Sequence, residues 1–271
     1  MSTHLQGKHV LLTGSTGGIG AALARQLSQL GAVLLLQGRD RDKLEALAAE
    51  LTGGERARPR VLVADLSALA EVAQLARNVA SGGIVDVLVN NAGVGFGRDR
   101  GRRETSSDGF ELRFAVNYLA PFLLTESLVG RGQPARAVVN VASAGQAPLD
   151  ESDLMSKRRY DGVLAYRRSK LALVADTFER ARRDHRRSYV ALHPGTFLAT
   201  KMVVDAGIRP LGTAEQGAAA VLEVIERALE GQSGVYFDRA AVARPDAAAE
   251  DVALQSRLRD KALALTRTYR D

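Results

Sequence analysis

The chain has 271 residues, 46% hydrophobic and 25% charged, enough for one α/β domain with a sizeable core rather than two small ones. No apolar run reaches the roughly 18 residues needed to span a bilayer, the polar start Met1 to Lys8 has no signal-peptide pattern, and the absence of cysteine rules out a disulfide framework or a thiolate metal site. The net charge of +6 comes from scattered arginines, with small clusters at Arg100 to Arg103 and Arg180 to Arg187 and no interleaved aromatics, a pattern of solvated faces that speaks against a nucleic-acid partner.

Short apolar runs alternate with longer amphipathic ones. Strands are expected at residues 9–13, 33–37, 61–64, 87–90, 137–142 and 189–193, with a short one at 235–237. Helices are expected at 18–30, 40–51, 68–80, 107–128, 163–183 and 213–229, and the tail 246–268 also reads as helical. Strands this apolar are buried on both faces, which predicts one α/β unit over 1–271 built on a parallel sheet. The irregular stretches 93–107, 144–162 and 195–212 all follow strands. They therefore fall at the carboxyl edge of the sheet, where open α/β sheets bind ligands.

Thr13 to Gly20 lies where the first strand ends and the first helix begins. Gly14, Gly18 and Gly20 let the backbone turn sharply, and with Ser15, Thr16 and Ile19 they form a turn that can approach a pyrophosphate closely. The helix that follows offers free N–H groups to the anion. The second strand ends Gln37-Gly38-Arg39-Asp40, with glycine where an NAD site wants a carboxylate. Arg39 suits a 2′-phosphate, so NADP(H) is expected over NAD(H), with Asp40 as a helix N-cap. Asp65 and Leu66 follow the third strand, where the carboxylate serves the adenine, the N-cap of the next helix, or both.

Tyr166 and Lys170 are spaced i, i+4, so both face one side of a helix. A tyrosine is a poor acid at neutral pH, and a nearby ammonium lowers its pKa. The pair therefore reads as acid/base chemistry on a carbonyl or alcohol, with Tyr166 as acid in reduction and base in oxidation. Ser143, after the fifth strand, offers a hydroxyl to polarise the substrate oxygen. Tyr160 has no lysine four residues on and is a poor rival; His193 reads as structural. His4, His9 and His185 have no metal-ligand spacing, and no metal is expected. Phe96, Met155, Phe197, Leu198, Met202, Val203 and Ile208 lie in the three loops and suggest a mostly apolar substrate. The segment 195–212, with a glycine at each end, could act as a lid.

Thr13-Gly14-x-x-x-Gly18-Ile19-Gly20, Asn90-Asn91-Ala92-Gly93, Asn117, Ser143, Tyr166-x-x-Ser169-Lys170 and Pro194-Gly195 together resemble the short-chain dehydrogenase/reductase family, over roughly residues 8–237. Asp108-Gly109-Phe110-Glu111, the Ser-Lys-Leu after Tyr166 and His193-Pro194-Gly195 look like its retinol-dehydrogenase branch. The resemblance implies a Rossmann-like, doubly wound sheet of about seven strands with helices on both faces. It implies that Lys170 also holds the nicotinamide ribose and that Asn117 anchors a water relaying protons to Lys170. Asn91, Ala92 and Gly93 would shape the adenosine-side wall, and Pro194, Gly195, Thr196 and Thr200 would meet the nicotinamide end. Which threonine contacts the carboxamide stays open, because the second stands one residue later than usual. Twenty-two residues separate Ser143 from Tyr166, more than many members have. Members often pair as homodimers or homotetramers through the tyrosine helix and its neighbour, and a cytoplasmic enzyme acting on a small molecule is the default expectation. The alternatives are reduction of an activated double bond or aromatic ring, and a non-catalytic NADP(H)-binding regulator.

Overall fold

The computed structural model describes residues 4–54, 57–97, 99–131, 133 and 136–270, so the first three residues of the polar start lie outside it. Strands β1 (His9–Leu12), β2 (Val33–Gly38), β3 (Arg60–Val63), β4 (Val87–Asn90), β5 (Ala137–Val141), β6 (Ser188–His193) and β7 (Val235–Asp238) are parallel. β8 (Ala241–Ala243) turns back antiparallel to β7. The sheet order is β3-β2-β1-β4-β5-β6-β7-β8. The chain reverses its winding direction between β1 and β4, and the crevice above that point is where such sheets take a dinucleotide.

The helices are α1 (Gly18–Gln29), α2 (Arg41–Leu51), α3 (Leu69–Ala80), α4 (Leu112–Phe114), α5 (Ala120–Gly130), α6 (Gly162–Arg183), α7 (Lys201–Asp205), α8 (Ala214–Leu229) and α9 (Val252–Leu265). Successive strand side chains point to opposite faces. Val10 and Leu12 of β1, Val87 and Val89 of β4, and Val190 and Leu192 of β6 enter one core with residues of α1, α2 and α8. Leu11, Leu88, Tyr189 and Ala191 enter the other, with residues of α3, α5, α6 and α9. Two cores are why the strands read as nearly unbroken apolar runs. Among the described residues no helix is long and apolar enough to cross a membrane.

Three expectations need correction in detail. The sheet has an eighth strand, because the chain turns at Arg239, with φ +55°, and pairs Ala241–Ala243 with β7. The helix expected over 107–128 does not begin until Leu112. Before it, Gly109 at φ +80° closes a turn, Thr105 bridges Glu111, and the Glu111 carboxylate caps α4 by accepting from Phe114 N–H. A π-helical turn, Ala115–Leu119, then joins α4 to α5. Finally, the segment 195–212 contains α7 rather than being irregular throughout.

Candidate active site

The glycine turn is closed by contacts that leave no room for side chains. A Cβ on Gly20 would lie 2.1 Å from the Gly14 carbonyl oxygen, and one on Gly14, at φ +65°, 2.8 Å from Ala92 Cα. Gly18 faces Thr200, whose Cγ2 would be 3.0 Å from an added Cβ. Gly17 caps α1 with no side-chain hydrogen bond, so the first N–H groups of the helix face the cleft without a side-chain partner. Asn91 braces the turn by donating from Nδ2 to the carbonyls of Thr13 (2.9 Å) and Gly14 (3.2 Å). Ser15, expected to meet the cofactor, instead turns inward: its hydroxyl and its N–H both donate to the Gln37 carbonyl, at 3.0 and 2.9 Å, and the residue is fully buried outside the cleft lining.

At the end of β2, Arg39 is 71% exposed and stands 3.9 Å from Asp65. Beside it, a Cβ on Gly38 would meet Thr16 Cγ2 at 2.9 Å. Asp40 caps α2 by accepting from Lys43 N–H, as its position predicts. Asp65 does not cap α3. Its carboxylate accepts from Ser67 N–H, and Asp108, from the turn before α4, accepts from Leu69 N–H instead.

Tyr166 and Lys170 lie on the inward face of α6, started by Asp161, whose carboxylate accepts from Leu164 N–H. Both are buried. The Tyr166 ring meets Phe96 edge-on with centroids 4.9 Å apart, and Lys170 Nζ lies 5.8 Å from its centroid. Lys170 donates to the Val141 carbonyl at 2.8 Å, and burial lowers its pKa to about 8. Burial holds the Tyr166 phenol above its ordinary value, against the pull of a hydrogen bond with Ser143. Desolvation thus prevails, and the lowering expected from Lys170 does not appear in this arrangement.

Asn117 sits in the π-helical turn, fully buried behind the cleft wall rather than in it. Its Oδ1 accepts from Val94 N–H at 2.8 Å, and its Nδ2 donates to the Val94 carbonyl and to Ser169 Oγ, both at 3.0 Å. Ser169 in turn donates to the Tyr166 carbonyl at 2.7 Å. Asn117 therefore ties the segment after β4 to the tyrosine helix. A Cβ on Gly93 would be 3.2 Å from Asn117 Oδ1 and 3.6 Å from Lys170 Nζ, so all three groups converge.

One cleft of about 610 Å³ joins the glycine turn to Tyr166, lined also by Ser143, Pro194, Gly195, Thr196 and Thr200. Phe96, Phe197, Leu198, Met202, Val203 and Ile208 give it an apolar lining as well. Met155 is not in it and packs against the core instead. His193 shares hydrogen-bonding distance with Thr196 through Nε2 at 3.1 Å, and burial lowers its pKa. Tyr160 is committed elsewhere: its hydroxyl donates to Glu111 and accepts from Arg113, each at 2.9 Å. The motif reading missed Gln37, Leu112, Val116, Val163 and Arg167, which also line the cleft; no local pattern marks them. Among the described residues there is no group of three or more His, Cys, Asp or Glu side chains able to hold a metal.

Comparison with known proteins agrees with this geometry. The short chain dehydrogenase family model matches residues 8–208. Retinol dehydrogenase 13 of Mus musculus is 35% identical over 94% of this chain and 82% of its own length. Polyprenol dehydrogenase of Mus musculus is 36% identical over 96% of this chain and 84% of its own. The crystal structure of an uncharacterized protein from Mycobacterium paratuberculosis superposes with a TM-score of 0.77 at 29% identity, covering 97% of this chain and 94% of that one. The chain belongs to the short-chain dehydrogenase family and is an NAD(P)-dependent oxidoreductase.

Proposed function

We propose that the protein transfers hydride between NADP(H) and a carbonyl or alcohol on a mostly apolar small molecule, with Tyr166 as the acid and base. The observation that carries this reading is the convergence of Tyr166, Ser143 and Lys170 on one cleft whose other end is the glycine turn. That turn fits a pyrophosphate, since its glycines exclude side chains and the α1 N-terminus faces it. The bound cofactor supplies or accepts the hydride. In reduction Ser143 donates a hydrogen bond to the substrate oxygen, and Tyr166 passes its proton to the same atom as negative charge builds there. Lys170, cationic below about pH 8, favours the tyrosinate left behind and holds the nicotinamide ribose. Asn117 keeps the tyrosine helix in register with β4. Its amide is spent on Val94 and Ser169, so a relay water would rest on its backbone carbonyl.

Arg39 supports the preference for the phosphorylated cofactor, being exposed where an acid would otherwise take the ribose. The two threonines divide the remaining work. Thr200 abuts Gly18 and serves the pyrophosphate, while Thr196, held by His193, serves the carboxamide. The apolar lining suits a lipophilic substrate, in keeping with relatives named for retinol and polyprenol.

The test is cofactor oxidation followed by absorbance across a panel of ketones, aldehydes and quinones, with NADPH and NADH side by side and Tyr166→Phe in parallel. NADPH should bind at least about tenfold more tightly than NADH, and Tyr166→Phe should bind NADPH while losing at least about a hundredfold in turnover. Dissociation constants within threefold of each other would remove the NADP(H) preference. A mutant keeping a tenth of the activity would show that the proton comes from elsewhere.

A further inference from the structure

Ser143 stands just past the end of β5, where the ladder no longer holds the backbone. Its carbonyl nevertheless accepts two hydrogen bonds, from Tyr236 Oη and from Gln146 Nε2, each at 3.0 Å. Tyr236 belongs to β7 and Gln146 to the loop after β5, and both are 4% exposed. Gln146 is itself fixed from two directions. Its Oε1 accepts from Asp246 N–H at 3.2 Å, and its own carbonyl accepts from Arg167 Nε at 3.1 Å. The Asp246 bond settles which end of the amide is the oxygen. Burial pushes the Tyr236 hydroxyl up to about 12, so it stays a donor at any working pH.

We infer that Tyr236 and Gln146 are positioning residues that set where the Ser143 hydroxyl stands, by clamping its main-chain carbonyl to β7 and to the start of the C-terminal tail. The inference rests on the reading of Ser143 as the group that holds the substrate oxygen. The Ser143 Oγ accepts from Gly145 N–H at 3.1 Å, which orients the hydroxyl, but its reach is set by its backbone, and an error of about 1 Å at a reacting centre can cost about a hundredfold. Neither clamp lines the cleft; Tyr236 also interacts electrostatically with Tyr166, and a double-mutant cycle separates that direct route from the one through Ser143.

The experiment is a double-mutant cycle between Tyr236→Phe and Ser143→Ala on ketone reduction. Tyr236→Phe keeps the ring packed and removes only the hydroxyl. It should lower kcat about tenfold, leaving KM and the NADPH dissociation constant within about twofold. On the Ser143→Ala background it should change kcat by less than twofold. An equal loss on both backgrounds, or none on the parent, would overturn the inference.

A second readout needs no turnover. The ionisation of Tyr166 is followed by tyrosinate absorbance, each variant against its own Tyr166→Phe partner. The Ser143 bond lowers the Tyr166 pKa, so Ser143→Ala should raise it and Tyr236→Phe should raise it in the same direction. An unmoved Tyr166 in Tyr236→Phe sinks the inference. Should Ser143→Ala leave kcat unchanged, the role of Ser143 itself fails, and the titration still decides whether the clamp governs its position. Gln146→Met, close in shape but lacking the donor, repeats both measurements if Tyr236→Phe does not fold.

Discussion

Lys170 shows what the site costs the fold. Its ammonium is 4% exposed and its main compensation is one bond to the Val141 carbonyl. Burial lowers its pKa from 10.5 to about 8. Between those values the unfolded chain holds the proton and the folded chain does not, so stability rises with pH across the window and the penalty is complete below about pH 8. The depression corresponds to a cost on the order of 3 kcal/mol. Lys170→Met keeps an apolar stem and removes the charge, at the price of about 1 kcal/mol for the carbonyl left without a donor. Without cofactor, the variant should melt higher than the parent at pH 7, by several degrees at ~2–4 °C per kcal/mol, while losing turnover. The gain should shrink as pH climbs from 8 towards 10. A lower melting temperature at pH 7 would show that the ammonium is better compensated than its surroundings suggest.

Among the elements, the turn before α4 ties the variable loop to the body of the protein. Arg113 and Glu111 are each 1% exposed, and Tyr160 from the loop before α6 bonds to both. Arg113 also donates to the Gly95 carbonyl at 2.9 Å, so the segment after β4, α4 and the loop share one buried polar network. Tyr160→Phe leaves Glu111 Oε1 with Arg113 as its remaining partner, at 3.3 Å. The loss should be about 1–3 kcal/mol, read as a lower urea midpoint with the slope unchanged; an unmoved midpoint would mean the network is dispensable. None of this was legible in the sequence. Helical periodicity ran through Ser107 and Gly109, because a motif scan weighs neither a positive φ at Gly109 nor an i→i+5 turn at Ala115–Leu119. The strands were legible because burial on both faces leaves a strong local signature. So were the glycine turn and the Tyr166–Lys170 spacing, whose geometry is set within a few residues. Tyr236 and Gln146 were not, because a buried hydroxyl and an amide bonding one carbonyl across 93 and 3 residues leave no shared pattern.

At the scale of the whole molecule, the C-terminal tail becomes part of the site's support. A 3-10 turn at Ala247–Glu250 and helix α9 lie on α6, with Leu254, Leu258 and Ala262 in the core beneath it. Arg259 stands 3.6 Å from Glu179 and 3.9 Å from Glu126, adding positive charge beside the buried Asp176–Arg180 pair. Arg257 grips Glu151 through two bonds of 2.7 and 2.8 Å, fastening the loop that follows Ser143. Farther on, Tyr269 donates to Asp108 at 3.0 Å, the same carboxylate that caps α3. The family resemblance implies pairing through the tyrosine helix, yet α9 already occupies a face of that helix with apolar and ionic contacts. A partner subunit would have to displace contacts that also hold the loop after Ser143. The full chain should therefore run as a monomer of 28.9 kDa by light scattering, across concentrations from micromolar upwards. A mass of twice that value, stable on dilution, would mean either that α9 swings away or that the pairing surface lies on another part of the fold.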